Sequence, residues 1–241
     1  ARCHLTALRE FDRFATRENL KSACIKQSEF EAWRCKMTGN SATTIYMKCC
    51  VFGQFLRYMA RLGIPCYIPI YPRKPKNLYV PYIFSEEELK KIFKAADELM
   101  FVRRNFKCGI FSIPVLLRLL YSTGMRIGEA CSLINSDVDM SSRIILVRNT
   151  KNKRDRQLPI SDSLYQVLEQ YLIKRDKLPL HNMGNPNSPF LISLDGSSLT
   201  GVSARHWFYK ILEASDIDYI PKVGPRIHDL RHTFAVHVLD K

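Results

Sequence analysis

Apolar residues recur at three- and four-residue intervals through the first quarter of the chain, and this spacing predicts amphipathic helices. The clearest helix opens at Ser41 and ends near Gly63. Shorter amphipathic stretches cover residues 5–14 and 28–37. Because each stretch has one apolar side, the three are expected to pack together. We therefore predict a small helical bundle over residues 1–63.

Residues 64–81 break the helical pattern, because five of them are proline. Proline lacks a backbone N–H and disfavours helix, so this segment is predicted to be an extended linker. Its middle is basic, with Arg73, Lys74 and Lys76. We place the domain boundary here and predict a second domain over residues 82–241.

The second domain combines helical and extended patterns. Ser85 with Glu88 three residues later is a capping-box pattern at a helix start. Residues 143–147 and 157–160 are extended runs, and the segment 149–155 between them is strongly basic. These two runs and the segment that joins them predict a β-hairpin.

Three later patterns complete this domain. Ser161 or Asp162 is expected to cap a helix, and residues 200–212 predict another. Residues 190–192 are apolar and predict a short strand. The predicted fold class is therefore α+β, mostly α with a small antiparallel sheet, in a chain of two domains.

A Thr-Gly break within residues 122–130 separates an apolar run from a new helical pattern. Gly124 is expected to end one helix, which places Arg126 in or beside the first turn of the next. A helix start offers free N–H groups and a positive dipole end, and a guanidinium strengthens the preference for an anion. Arg126 is therefore a candidate phosphate ligand, although a plain surface arginine would give the same local pattern.

A second motif, His-Asp-Leu-Arg-His-Thr-Phe-Ala, begins at His228. Leu230, Phe234 and Val238 are spaced to form one apolar face of a helix. His228 and Arg231 are three residues apart, so they should project from a common side.

These two stretches, Thr-Gly-Met-Arg-Ile-Gly-Glu-Ala and His-Asp-Leu-Arg-His-Thr-Phe-Ala, together resemble the tyrosine recombinase (phage integrase) family. The resemblance implies a two-domain DNA clamp, with a helical core-binding (SAM-like) domain and an integrase-type catalytic domain. It implies a site-specific recombinase that breaks and rejoins DNA through a 3′-phosphotyrosine, for integration, excision or transposition of a mobile genetic element. The implied partners are double-stranded DNA, further copies of the chain in a tetrameric synapse, and accessory DNA-bending proteins. The implied location is the bacterial cytoplasm, on DNA, with no cofactor and no membrane.

The resemblance also assigns roles to particular residues. It implies that Arg126 and Arg231 hold the scissile phosphate and that His228 assists the nucleophile and binds the phosphate. Two guanidiniums suit this task, because they stay charged and match the geometry of oxyanions. Glu129 is expected to orient Arg126 or its helix.

A lysine at the hairpin tip is implied as the general acid that protonates the departing 5′ oxygen. Lysine suits this role because its pKa responds readily to its surroundings. Lys151 is our candidate, and Lys153 is a competitor in the same cluster.

The net charge of +14 favours a polyanionic partner. Up to residue 80 there are 14 lysines and arginines against 5 acidic residues, so the first domain is densely basic. A charged helical face taken alone is more often plain solvated surface. The residues expected to contact DNA are Lys48, Arg57, Arg73, Lys74, Lys76, Arg148, Lys153, Arg154 and Arg156.

The eight cysteines form no C-x-x-C pair, and several fall at apolar helical positions. We therefore expect reduced, buried thiols and neither a disulfide framework nor a zinc site. His228, His232 and His237 include a helical ligand spacing, but no carboxylate or cysteine is patterned with them. We expect no metal.

The pattern departs from the family at its end, because no tyrosine follows Arg231 in these 241 residues. Tyr209 and Tyr219 precede His228, which is the wrong order for the nucleophile. We expect either a fragment, which the stop inside an amphipathic helix favours, or a protein that has lost catalysis. These 241 residues are not expected to cleave DNA. The alternatives are a non-catalytic accessory factor or repressor derived from the same fold, and a type IB topoisomerase.

Overall fold

A computed structural model of the chain describes residues 2–76, 80–99, 109–148, 154–221 and 223–240. The chain divides into two compact units, Ala1–Leu78 and Tyr79–Lys241. Each unit encloses a separate hydrophobic core.

The first unit is helical. Ser41 precedes its longest helix and accepts a hydrogen bond from the Thr44 N–H at 3.2 Å, so it caps that helix as predicted. Gly63 follows the same helix with a φ of +82°. The helices are α1 (Arg2–Arg17), α2 (Gln27–Cys35) and α3 (Ala42–Arg61).

Aromatic rings form the centre of this unit. Phe52 of α3 is fully buried, and its ring centroid lies 3.9 Å from that of Phe11 in α1. The Trp33 ring of α2 is 4.9 Å from Phe52. One side chain therefore joins all three helices.

The segment after α3 packs back onto that helix through Tyr71. A Cβ added to Gly53 would lie 2.7 Å from the Cε1 atom of Tyr71, so only a glycine leaves room for the ring. The Arg57 guanidinium stacks over the same ring at 4.8 Å and donates a hydrogen bond to its hydroxyl. Gly53 and Arg57 together hold the start of the proline-rich segment against α3.

The second unit is mainly helical and carries one small sheet. Its elements are α4 (Glu86–Asp97), α5 (Ile113–Thr123), α6 (Ile127–Cys131), β1 (Val138–Asp139), β2 (Ile144–Val147), β3 (Arg156–Pro159), α7 (Asp162–Arg175), α8 (Gly201–Ala214) and α9 (Asp229–Leu239). Helix α5 occupies the centre and contacts α4, α6, α7 and α9. The hydrogen bonds between Ser85 and Glu88 form the predicted capping box of α4.

The sheet is antiparallel, with the strand order β1-β2-β3. Strands β2 and β3 form the predicted hairpin, in which Ile145 pairs with Leu158 and Val147 pairs with Arg156. The expected fold class, mostly α with a small antiparallel sheet, is confirmed. The two-residue strand β1 was not predicted, because it is too short to show an alternating pattern.

The strand predicted at residues 190–192 is wrong. Only isolated bridges form there, between Pro189 and Ile134 and between Ile192 and Ser198. Side chains bond part of this backbone: the Tyr171 hydroxyl donates to the Phe190 carbonyl at 2.9 Å, and the Ile192 N–H donates to the Ser112 hydroxyl at 3.1 Å. Local composition predicted extended backbone, but the hydrogen bond from Tyr171 of α7 depends on tertiary packing, which local composition does not show.

The apolar face predicted for α9 is wrong at its far end. Leu230 is fully buried, but Val238 is 56% exposed. Thr233 is fully buried, and its hydroxyl accepts a hydrogen bond from the Phe84 N–H at 3.0 Å. The buried side of the helix therefore includes a threonine that a hydrophobic pattern does not count.

Candidate active site

The turn between α5 and α6 positions Arg126. Gly124 ends α5 in the left-handed conformation, with φ +60°, and its N–H donates to the Leu120 carbonyl at 3.0 Å. Met125 is buried, and Arg126 occupies the N-cap position of α6 with an exposed side chain. The glycine turn therefore presents the guanidinium to solvent at a helix start, where the sequence placed it.

Glu129 binds two arginines from different elements. Its Oε2 accepts from the Arg126 N–H at 2.8 Å, and its Oε1 accepts from the Arg126 guanidinium at 2.8 Å. Arg156 of β3 donates to both oxygens, at 2.7 and 3.2 Å. This carboxylate fixes the helix start and the hairpin strand to each other.

The pKa of Glu129 reflects how strongly these hydrogen bonds favour the ionised carboxylate. Burial acts to raise the pKa, but the hydrogen bonds from Arg156 and from the backbone and side chain of Arg126 outweigh burial. They bring the pKa down to about 2. The carboxylate is therefore ionised throughout the neutral range and offsets part of the positive charge.

Helix α9 contacts the same turn through two side chains. Arg231 donates a hydrogen bond to the Gly124 carbonyl oxygen. The Phe234 ring packs on the same glycine, since a Cβ added there would lie 2.5 Å from the Cδ1 atom of Phe234. Burial and the neighbouring Arg126 and Arg156 charges lower the pKa of Arg231. The three guanidiniums therefore share one positive region.

His228 stands at the N-cap position of α9 and is open to solvent. Beside it, the fully buried Asp229 accepts a hydrogen bond from the Arg226 N–H at 2.7 Å and fixes the turn. Partial desolvation of the imidazole and the positive charge of Arg205 lower the pKa of His228, while the charge of Asp229 acts to raise it. The imidazole is therefore neutral near pH 7 and able to accept a proton or a hydrogen bond.

Arg205 was not among the residues singled out from the sequence. It lies on α8 with an exposed side chain, and among the charged groups acting on His228 it has the largest effect on the pKa. The helix was predicted, but nothing in its local pattern distinguishes this arginine. The fold brings Arg205 close enough to His228 for its charge to act on the imidazole, and this makes it part of the site.

The predicted general acid lies outside the described residues, as does its competitor; these are Lys151 and Lys153. The strands on either side of them are described. Val147 pairs with Arg156 at the end of the hairpin where those lysines belong in sequence, and Arg156 is bonded to Glu129.

Several cations expected on a DNA surface are engaged within the protein. The Lys48 side chain is 14% exposed and lies 2.5 Å from a Glu10 carboxylate oxygen. Arg57 stacks on Tyr71, Arg148 pairs with Asp137, and Arg156 pairs with Glu129. Among these expected contacts, the exposed cations in the part of the chain that the structure describes are Arg57, Arg73, Lys74, Lys76, Arg148 and Arg154.

Chemically, the site offers fixed positive charge and a neutral imidazole on one surface. Arg126 and Arg231 supply donors suited to oxyanions, and His228 supplies a neutral nitrogen. Within the described ranges, no group of three or more His, Cys, Asp or Glu side chains lies close enough to hold a metal ion. None of the helices in that part of the chain is long and apolar enough to cross a membrane.

Comparison with known proteins identifies the family. The sequence profile of the phage integrase family matches residues 83–241, most of the chain. The chain belongs to this family. It is 30% identical to a putative integrase/recombinase, y4rB, of Sinorhizobium fredii over 190 residues, or 77% of this chain. It is 31% identical to the tyrosine recombinase XerA of Pyrococcus horikoshii over 172 residues, or 70% of this chain.

These alignments span 59% of the Sinorhizobium protein and 51% of the Pyrococcus protein, so the chain covers little more than half of either relative. Among solved structures, the chain is similar to the XerH site-specific recombinase bound to its difH substrate. The TM-score is 0.71 at 20% identity, over 99% of this chain and 69% of that one. This likeness establishes a shared fold.

Proposed function

We propose that the protein is a site-specific DNA recombinase that breaks and rejoins strands through a 3′-phosphotyrosine, in the integration and excision of a mobile element. The observation that carries the proposal is that Arg126 and Arg231 both lie at the Gly124 turn. Arg126 follows this turn at the N-cap of α6, and Arg231 donates a hydrogen bond to the carbonyl oxygen of Gly124. Each exchange replaces one phosphoester by another, so the reaction needs no ATP.

The two arginines would bind the non-bridging oxygens of the scissile phosphate. Attack on a phosphodiester places additional negative charge on these oxygens, and fixed guanidiniums stabilise that charge without a metal. Glu129 contributes as a positioning residue, because it is bonded to Arg126 and to Arg156. The donors are therefore oriented before the substrate arrives, which lowers the cost of reorganisation.

His228 would act as a neutral imidazole beside that phosphate. Its lowered pKa supports this state near pH 7. In that state it can accept a proton from the attacking hydroxyl or a hydrogen bond within the site. Lys151 would protonate the departing 5′ oxygen. The attacking tyrosine has no counterpart after Arg231 in the 241 residues, so this polypeptide should bind DNA without forming a covalent adduct.

The first unit would complete a clamp around the duplex. In this proposal, residues 1–63 are the core-binding domain, residues 64–81 the linker and residues 82–241 the catalytic domain. The exposed cations Arg73, Lys74 and Lys76 would contact backbone phosphates. The full protein would pair two DNA sites as a tetramer, with accessory DNA-bending proteins.

The test separates binding from chemistry. The 241-residue polypeptide should bind duplex DNA with steep salt dependence, because each neutralised phosphate releases counterions. A suicide substrate nicked beside the cleavage position should give no covalent band with it. A band that survives denaturation would show that the nucleophile lies within these residues.

Catalysis is tested in a chain extended by a family member's tyrosine-bearing segment. Arg231→Ala should leave DNA affinity within roughly tenfold, about 1.4 kcal/mol, and reduce cleavage by at least about a hundredfold. Lys94→Ala removes an exposed cation of α4 and serves as the matched control. Equal loss of binding and cleavage in Arg231→Ala would contradict a role in the transition state and would favour a DNA-binding protein without chemistry.

A further inference from the structure

Two segments of the first unit lie side by side: the loop between α1 and α2, and the residues that follow α3. The Tyr67 N–H donates to the Ile25 carbonyl at 2.8 Å and joins their backbones. One residue earlier in each segment is a cysteine, Cys24 and Cys66. The two cysteines therefore flank a backbone contact between chain segments that are distant in sequence.

The sulfur contacts of the two cysteines are reciprocal. The Cys66 Sγ lies 3.3 Å from the Ala23 carbonyl oxygen, which directly precedes Cys24. The Cys24 Sγ contacts the Pro65 carbonyl oxygen, which directly precedes Cys66. Each sulfur thus reaches the peptide group next to the other cysteine. A disulfide requires this kind of approach, because it joins backbones only a few ångströms apart.

Access to reagents separates this pair from two less reactive thiols, Cys49 and Cys131. Cys24 and Cys66 are free thiols with partly exposed side chains. Cys49 is fully buried, and burial raises its pKa. In the second unit, burial raises the pKa of Cys131 to about 11. Thiolate is the reactive form, so these two thiols with raised pKa values should react slowly.

We propose that Cys24 and Cys66 are an oxidation site, a dithiol that closes into an intramolecular disulfide by exchange with a small-molecule disulfide. One thiolate attacks oxidised glutathione, forms a mixed disulfide and releases one glutathione thiolate. The second cysteine attacks the protein sulfur of that mixed disulfide and releases the other. The protein loses two electrons and two protons, and one oxidised glutathione becomes two reduced molecules.

The bond would tie down the first residues of the proline-rich segment. Cys66 lies between the end of α3 and Tyr71, which is already held against Gly53 and Arg57. Oxidation would therefore fasten the beginning of the segment that leads out of the first unit. It would close a loop of about 40 residues, long enough for a substantial stabilisation of the folded state.

The experiment uses the intact 241-residue chain. It is incubated with oxidised glutathione, the remaining thiols are alkylated, and the peptides are mapped by mass spectrometry without reduction. The expected product is one cross-linked peptide pair containing Cys24 and Cys66. The thermal midpoint of the first unit, followed by the fluorescence of Trp33 in a Trp207→Phe background, should rise by about 5 to 15 °C and return on reduction.

Cys24→Ser and Cys66→Ser are matched controls, because serine keeps a donor for the same carbonyl oxygen. Both variants should show the reduced midpoint with or without oxidant. Recovery of Cys24 and Cys66 as alkylated or singly glutathionylated residues, with no cross-link, would overturn the proposal. So would a cross-link that joins either cysteine to Cys35 or Cys50 instead. The mapping is done on the unsubstituted chain, so it does not depend on whether the variants fold.

Discussion

Arg231 donates a hydrogen bond to the carbonyl oxygen of Gly124, so the two motifs that define this chain meet at one peptide group. The contact is made to the backbone and therefore does not depend on the side chain at position 124. It does depend on the direction in which that carbonyl points. The left-handed conformation of Gly124 sets this direction, and the adjoining Phe234 ring fills the space where a side chain would lie.

Gly124→Ala should destabilise the second unit and displace Arg231. A residue with a Cβ is strained at φ +60°, and the added carbon would lie 2.5 Å from the Phe234 ring. We expect a loss of about 2–4 kcal/mol in the free energy of unfolding, measured by urea denaturation. Gly128→Ala is the control, because nothing lies within 4 Å of its added Cβ. Its stability should be unchanged or raised by up to about 1 kcal/mol. Similar losses in both variants would contradict this account.

Glu129→Gln should remove a pH dependence of stability at acid pH. The native pKa of about 2 is below the ordinary value of 4.5. A carboxyl with a lowered native pKa contributes stability that is complete above pH 4.5 and is lost as the pH falls through 2. The unsubstituted chain should lose on the order of 3 kcal/mol more than Glu129→Gln between pH 5 and pH 2. Glu213→Gln, an exposed position on α8, should keep the original profile in the same denaturation series.

The pKa of His228 should rise when Arg205 loses its charge. Arg205 is the largest charged contributor to the lowered pKa, so Arg205→Gln should move it back towards 6.5. An imidazole with a lowered pKa costs stability as the pH falls below 6.5, and this cost should shrink in the variant. Proton NMR titration of the imidazole measures the change directly. Lys210→Gln, on the same helix, should leave the titration unaltered.

Local motifs were enough to predict much of the second unit. A Thr-Gly break followed by arginine indicates a helix end and a helix start, and both lie where the sequence placed them. The relative position of His228 and Arg231 could be predicted because the two residues are three apart at the start of a single helix. By contrast, the bonding of Arg156 to Glu129 depends on how the hairpin packs beside α6, which no local pattern specifies. Arg205 was not predicted as a site residue for the same reason.

The first unit shows the same limit for charged residues. Arg57 has the pattern of a solvent-facing cation, yet it stacks on an aromatic ring from the following segment. Lys48 is mostly buried beside Glu10 of another helix. Periodicity indicates which side of a helix is polar, but it cannot indicate what later folds over that side.

Gly53→Ala should release the segment that follows α3. An added Cβ would lie 2.7 Å from the Tyr71 ring, so the ring must move away. Arg73 and Lys76 are exposed cleavage points for trypsin beyond that ring, and cleavage there should become several times faster. Tyr71→Ala should give a similar increase. If docking of the ring is the cause, the double variant should be no faster than either single one.

Lys151→Ala should be rescued by a substrate whose 5′ leaving group is a thiol. A thiolate departs without a proton, so such a substrate does not need a general acid. The measurement is single-turnover cleavage by a chain that carries the family's tyrosine, with an ordinary phosphodiester as the reference. Rescue of Lys153→Ala in place of Lys151→Ala would move the role to the neighbouring lysine. If neither variant is rescued, a group other than these two lysines protonates the departing 5′ oxygen.

Glu129 reduces the mutual repulsion of the arginines when no anion is bound between them. Several guanidiniums gathered on one surface repel each other, and without a counter-charge they would move apart in solution. The carboxylate, buried beneath two of them and bonded to both, neutralises part of this repulsion within the protein itself. The cations can therefore remain assembled when no anion is present. An incoming phosphate would encounter a receptor that is already in place, and the rate of capture would be set by diffusion and long-range attraction.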